Sequence, residues 1–142
     1  MTKIALIGAG GKMGLRLATN LMETRYEVFH VEISPEGQER FTQETGLSCV
    51  ARDQAINAAD AILLAVPDRL IGKVVADFVT ELKPGTAIIM LDAAAPHAGT
   101  LPKRSDITYF VAHPCHPPLF NDETDPNAQK DYFGGIAAKQ HI

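Results

Sequence analysis

The chain has 142 residues, enough for one domain with a real core and too few for two domains of ordinary size. Hydrophobic residues make up 46% and charged residues 21%, with 11 Gly and 9 Pro, a balance that excludes the disordered and fibrous classes. Thirteen basic residues against 17 acidic ones give a formal net charge of -4 with no long run of one sign, which argues against a nucleic-acid partner.

Short apolar runs alternate with longer helical patterns from the first residues onward, the form of a parallel sheet covered by helices on both faces. Lys3–Ile7 reads as a buried strand, and glycines follow it too soon for a secretory signal core. Gly8 to Gly14 is a glycine loop, after which Leu15, Leu17, Ala18, Leu21 and Met22 recur at helical spacing. Glu27–Val31 is the second strand. Ser34 and Pro35 open a helix with Glu36 in its first turn and Gly46 at its exit. Residues 47–51 read as a short third strand, and Asp53 as the cap of a brief helix over 54–58. Residues 61–65 (AILLA) are the most apolar strand and the expected centre of the sheet. The nearly apolar stretch 58–67 is interrupted by Asp60 and falls far short of the ~20 residues that span a bilayer, so no membrane association and a cytoplasmic location are expected.

A further helix is predicted over 70–82, with Val74, Val75, Phe78, Val79 and Leu82 toward the sheet and Pro84-Gly85 as its stop. Residues 86–91 and 107–112 are the fifth and sixth strands, separated by a loop that holds Asp92, Pro96, His97 and Pro102. From His113 to Pro126 the chain carries four prolines and little periodicity, which predicts an irregular segment. Residues 132–142 read as a helix that starts at Gly134-Gly135 and meets no stop signal, as in a fragment of a longer enzyme. Cys49 and Cys115 lack CxxC spacing and are expected as reduced thiols, with Cys49 and His30 as packing residues on strands.

Gly8-Ala9-Gly10-Gly11-Lys12-Met13-Gly14 lies between a strand and a helix. There the amides and dipole of the helix N-terminus can hold a pyrophosphate, whose approach side chains would block. Met13 occupies the third position of a strict GxGxxG, so the register is GxxGxxG through Gly8, Gly11 and Gly14. Gly8, Gly10, Gly11, Lys12 and Met13 are therefore the expected phosphate-binding residues. Glu32 closes the second strand near the ~20-residue separation expected of the carboxylate that binds ribose hydroxyls and repels a 2′-phosphate. Positions 33 to 35 are Ile, Ser and Pro, with no Arg, so NAD is expected ahead of NADP. Arg40 could turn inward and reverse that preference, and a solvated surface carboxylate is the alternative for Glu32. Ala65, Val66 and Pro67 leave the fourth strand at the carboxyl edge of the sheet, where their backbone would meet the cofactor's ribose or nicotinamide or would simply end the strand.

His113-Pro114-Cys115-His116 follows the sixth strand to the same edge. An imidazole there can take a hydroxyl proton as hydride leaves, which makes His113 a catalytic candidate and His113, Pro114 and His116 substrate-binding candidates. The HxCH pattern lacks the paired spacing of a structural zinc site, so no metal is assigned, and Cys115 has no evident Asn or Asp partner as a nucleophile. A rigid proline-rich loop with structural histidines is the alternative.

Together these residues resemble the NAD-binding domain of the 6-phosphogluconate dehydrogenase and 3-hydroxyacid dehydrogenase superfamily over nearly the whole chain. The likeness rests on the Met13-Gly14 loop ending, the ADAILLAVPD segment over 59–68, and Gly135-Ile136-Ala137-Ala138-Lys139, which is similar to the GxxxK opening of the family's interdomain helix. It implies a Rossmann-type, doubly wound, mainly parallel α/β domain over 1–131, with residues 132–142 opening a helix toward a missing helical C-terminal domain. It also implies a homodimer of the full-length protein and Lys139 as the catalytic general acid/base. Where the family carries a DxPVSGG-like loop, residues 112–117 read AHPCHP, which implies a different substrate. The HPCHPPLFND run resembles a phosphogluconate dehydrogenase-like subgroup that includes the D-apionate oxidoisomerases, NAD-dependent enzymes that couple oxidation of a branched sugar acid to a rearrangement. The expected function is that of an NAD-dependent oxidoreductase domain acting on a small hydroxylated, sugar-derived carboxylic acid and inactive as this fragment alone. A prephenate dehydrogenase-like or reductoisomerase-like enzyme, and a non-enzymatic NAD-sensing or metal-binding module, are the alternatives.

Overall fold

A computed structural model of the chain describes residues 1–113, 124–131 and 137. Five parallel strands, β1 (Lys3–Ile7), β2 (Glu27–Val31), β3 (Ala61–Leu64), β4 (Ala87–Met90) and β5 (Thr108–Val111), form one sheet in the order β2-β1-β3-β4-β5. Ala5 of β1 lies level with Phe29 on one side and Ile62 on the other. The chain steps outward from β1 to β2 and then returns across β1 to β3, so the strand order reverses between β1 and β3. At such a reversal the connections diverge and leave a crevice beyond the carboxyl ends of the strands.

Helices α1 (Lys12–Met22), α2 (Pro35–Thr45), α3 (Arg52–Ala58), α4 (Ile71–Phe78) and the single-turn α5 (Ala94–His97) connect the strands. Period-two alternation sends Ile4, Leu6 and Leu63 into a cluster with Ala18 of α1 and Phe41 of α2. Ala5, Ile7, Ile62, Leu64, Ile88 and Met90 point the other way, into a larger cluster with Ile56 of α3 and Val75 and Phe78 of α4. Helices therefore cover both faces of the sheet, which is the Rossmann-type doubly wound arrangement that the sequence predicts. Phe41 and Phe78 are almost completely buried, each stabilising its layer by about 2–3 kcal/mol of removed apolar surface. Helix α2 starts and stops as its sequence dictates. The Ser34 Oγ accepts from the Gly37 amide at 2.9 Å, Pro35 takes the first turn, and Gly46 ends the helix at φ +72°.

Three local expectations are corrected. Residues 47–51 form no strand: the Val50 amide donates to the His30 carbonyl at 2.8 Å, but no ladder follows. Leu47 and Cys49 pack against the Phe41 cluster, so these apolar residues serve layer packing and β2 remains the edge of the sheet. Burial, then the nearby Glu32 charge, push the Cys49 thiol up, as suits a packing residue. The cap of α3 is Ala51, with Asp53 inside the first turn and paired with Arg52. The helix over 70–82 is broken into a 3₁₀ turn at Asp68–Leu70, α4, and a second 3₁₀ turn at Val79–Glu81. Arg104 accounts for that ending: its Nη1 donates to the carbonyls of both Val79 and Leu82, taking acceptors that a continuing helix would have used.

Compactness divides the chain into residues 1–111, which hold the sheet and α1 to α5, and residues 112–142. The second unit contains α6 (Pro126–Lys130), capped by Asp125, whose Oδ1 accepts from the Asn127 amide at 2.8 Å. The Asp131 carboxylate accepts from the Ala137 amide at 3.0 Å. The helix expected over 132–142 lies outside the described residues, apart from Ala137. Among the described residues no helix is long and apolar enough to cross a membrane.

His30 on β2 is 7% exposed, stacks at 4.8 Å and a 39° tilt on Phe41, and leaves its Nε2 without a hydrogen-bond partner among the described residues. Burial lowers its pKa below the ordinary histidine value, so it is neutral in the fold and protonates more readily in the unfolded chain. Stability is therefore expected to fall as pH drops through and below the ordinary histidine range, down to the lowered folded value. In urea melts from pH 7 to pH 5, His30→Phe, which removes the titrating group and keeps the ring, should flatten that part of the decline.

Candidate functional site

The loop that joins β1 to α1 is built almost entirely of backbone. The amides of Gly8 and Ala9 both donate to the Val31 carbonyl, at 2.9 and 3.1 Å, tying the carboxyl end of β1 to that of β2. Gly8 has φ +86°, a conformation open to glycine and strained for other residues, and a Cβ there would lie 2.5 Å from the Ala65 carbonyl oxygen. A Cβ on Gly14 would lie 2.0 Å from the Gly8 oxygen, and one on Gly10 would lie 2.4 Å from the Gly37 oxygen. Gly11 differs, because the atom nearest to its Cβ position is the Gly8 oxygen at 3.4 Å. In a phosphate-binding loop, side chains are expected to obstruct the ligand. At Gly8, Gly10 and Gly14 they would instead collide with the protein's own backbone, and only Gly11 has space reserved in front of it.

Helix α1 begins at Lys12 with Gly11 as its N-cap and no side-chain capping bond, whereas α2 is capped by Ser34. The first intrahelical bond runs from the Leu15 amide to the Gly11 carbonyl at 2.9 Å, so the first-turn amides of Lys12, Met13 and Gly14 have no intrahelical acceptor. They add to the positive end of the helix dipole, which favours a negative charge at this position. Lys12 is exposed and Met13 half-buried on that first turn.

Glu32, immediately past β2, is half-buried, and both of its carboxylate oxygens accept from backbone amides. Its Oε2 accepts from the Gly10 amide at 3.1 Å, while Oε1 accepts from the amides of Ile33 at 2.9 Å and Ser34 at 3.0 Å. It is thus no freely solvated side chain. Gly8, Gly11 and Glu32 face Ala65, Val66 and Pro67 across a cleft of about 360 Å³ at the strand-order reversal. The Ala65 amide donates to the Ile7 carbonyl at 2.8 Å, which extends the pairing of β1 and β3 to the rim.

Sequence reasoning missed the remaining wall. Ile33 is 88% exposed at the rim, and Leu70, Val74, Asp77 and Phe78 present one face of the α4 region to the cleft. Of these, Val74 and Phe78 were legible, but only as the core face of a helix. Arg52 also lines the cleft, held by the carboxylates of Asp53 and Glu81. Its contribution had no local signal, since it depends on where α3 meets α4. Arg40 does turn toward the loop: its guanidinium donates through Nε, at 2.8 Å, and through Nη2 to the Gly10 carbonyl.

His113 is exposed and belongs to the second unit. Pro114, Cys115, His116 and Lys139 lie outside the described residues. Among the described residues no cluster of three or more His, Cys, Asp or Glu side chains could hold a metal ion.

Residues 3–100 match the family described as the NAD binding domain of 6-phosphogluconate dehydrogenase. The chain is 62% identical over all its 142 residues to a D-apionate oxidoisomerase of Rhizobium rhizogenes, covering 52% of that protein. It is 60% identical over 140 residues, 99% of the chain, to the D-apionate oxidoisomerase of Cupriavidus necator, of which it covers 51%. Among solved structures, a semialdehyde dehydrogenase NAD-binding protein from Cupriavidus necator, in complex with calcium and NAD, superposes with a TM-score of 0.88 at 59% identity. That likeness covers 99% of this chain and 51% of the other. The chain thus spans about half the length of these relatives.

The contrast among the glycines sets an expectation for stability. Gly14→Ala should cost at least about 3 kcal/mol or prevent folding, because backbone stands on both sides of the clash. Gly11→Ala, at φ -77° with open space ahead, should stay within about 1 kcal/mol of the parent. Urea unfolding of the two variants measures both.

Proposed function

The chain belongs to the family of NAD-binding domains of 6-phosphogluconate dehydrogenase, and from that premise we propose that it is the cofactor half of an oxidoreductase acting on a hydroxylated, sugar-derived carboxylic acid. The observation that carries the reading is the juxtaposition of a pinned carboxylate, Glu32, with the uncapped start of α1 along one cleft. Those two features match the two ends of an adenosine diphosphate group: an acceptor for ribose hydroxyls and amide donors for the diphosphate. The high identity to proteins named D-apionate oxidoisomerase, together with the departure of residues 112–117 from the family's usual substrate loop, supports a sugar-derived acid as substrate.

In this reading the backbone of Gly8, Gly10, Gly11, Lys12 and Met13 surrounds the diphosphate, and Glu32 accepts from the adenosine ribose. The turn at Ala65, Val66 and Pro67 borders the second ribose and the nicotinamide. NAD, when bound, supplies the hydride acceptor. His113 or Lys139 takes the proton from the substrate hydroxyl, while Pro114 and His116 position the substrate. Residues 1–131 form the dinucleotide-binding domain and residues 132–142 lead into a helical second domain. The full-length protein is a cytoplasmic homodimer with no nucleic-acid or membrane partner.

A titration of the chain with NADH and NADPH, followed by nicotinamide fluorescence, tests the cofactor assignment, and the absence of Trp keeps the signal clean. NADH should bind at least about tenfold more tightly, because a 2′-phosphate would meet the Glu32 charge. Tighter NADPH binding, or binding of neither, would overturn the reading. In a protein that spans the full length of the relatives, replacing the true proton acceptor should lower turnover by about 10²- to 10⁴-fold. Separate His113→Ala and Lys139→Met variants identify it, and unchanged turnover in both removes the assignment.

A further inference from the structure

We infer that Arg40 is a positioning residue for cofactor binding, which holds the Gly10–Gly11 peptide in the orientation that a diphosphate requires. The inference deepens the NAD reading above and rests on it. The carbonyl of Gly10 and the amide of Gly11 belong to one peptide unit, the single Gly-Gly bond of the loop. That unit is held at both ends: its carbonyl accepts from Nε and Nη2 of Arg40, and its amide donates to the Gly8 carbonyl at 3.1 Å. The preceding peptide is held separately, through the Gly10 amide on Glu32.

A peptide between two glycines is the easiest in the chain to turn over. The turn reverses the carbonyl and carries the φ of the second residue from negative to positive, which glycine alone accepts without strain. Gly11 now has φ -77° with its amide turned onto the Gly8 carbonyl, so a flip would break that bond, set the Gly10 oxygen against the Gly8 oxygen and force the loop out of its present shape. The observed orientation gives the Gly10 oxygen to a cation and keeps the Gly11 amide on the Gly8 carbonyl, which fixes the loop at the N-cap of α1 where a diphosphate would dock. The guanidinium grips one acceptor with two donors, a geometry that a single point charge does not reproduce. Arg40 stands on an exposed turn of α2, away from both core clusters, so its part in the loop is separable from packing.

The test compares the chain with its Arg40→Ala and Arg40→Lys variants, using NADH and adenosine as probes and NMR hydrogen exchange at the loop amides. Arg40→Ala should weaken NADH binding about tenfold, leave adenosine affinity unchanged because adenosine carries no phosphate, and speed exchange at Gly11 while sparing Gly8 and Ala9. Arg40→Lys should recover part of the NADH affinity. Unchanged NADH affinity in Arg40→Ala, an equal loss for NADH and adenosine, or Gly11 exchange as slow as in the parent would each overturn the inference. Failure of the parent chain to bind NADH would instead defeat the cofactor reading, and the Gly11 exchange rate would still decide whether Arg40 locks the peptide.

Discussion

The missing side chain at Gly14 is the constraint from which the rest of the site follows. A Cβ there would lie 2.0 Å from the Gly8 oxygen and 2.7 Å from the Ala9 Cα, so any other residue would push α1 away from the end of β1. With hydrogen in that place, the first turn of the helix lies against the strand exit. Its N-cap, Gly11, then lines the crevice where the strand order reverses. The positive φ of Gly8 makes the same approach possible from the strand side, and the Val31 carbonyl, accepting two loop amides, ties the arrangement to β2. The result is a helix start whose preference for negative charge comes from fixed backbone dipoles, with no side-chain cap in the way.

The opposite wall is rigid for a different reason. Phe78 is 1% exposed and belongs to the main core, yet it also borders the cleft, so the floor is the outer surface of the hydrophobic layer. Such a floor is close-packed before any ligand arrives and needs little ordering. Arg104 preserves it by ending α4 at the right residue through the Val79 and Leu82 carbonyls. The rim is the reverse: Ile33 stands 88% exposed beside Glu32, and covering it would yield about 1.5–3 kcal/mol, comparable to a charge-assisted hydrogen bond. An apolar group that covered Ile33 would thus gain its affinity at the rim, while the floor provides shape.

Legibility in the sequence followed the range of the interactions. Strands with both faces buried are nearly continuous apolar runs, so the positions of β1, β3 and β4 could be read directly, as could the cap, proline and terminal glycine of α2. The glycine register and Glu32 were legible because a strand, turn and helix are a local unit with fixed spacing. Residues 47–51 misled because Leu47 and Cys49 carry the composition of a strand while their burial comes from α2 and the sheet face. The roles of Arg40, Arg52 and Asp77 were not legible in detail, since each depends on contacts between elements far apart in sequence. The need for glycine at position 10 that comes from the Gly37 carbonyl of α2 had no local signal either.

In the proposed role, Glu32 links coenzyme choice to loop geometry. A carboxylate that only repelled a 2′-phosphate could be exchanged for a neutral or basic residue with one consequence. Here the same carboxylate accepts from the amides of Gly10, Ile33 and Ser34, so its removal also releases the loop and the entry to α2. On the other side of Gly10 the carbonyl is held by Arg40, and the glycine thus sits between an anion on its amide and a cation on its carbonyl. Losing the anion alone leaves an unbalanced guanidinium beside a loosened loop. An altered coenzyme preference in this fold therefore requires a replacement at position 32 that still accepts from backbone amides, together with a new partner for the phosphate.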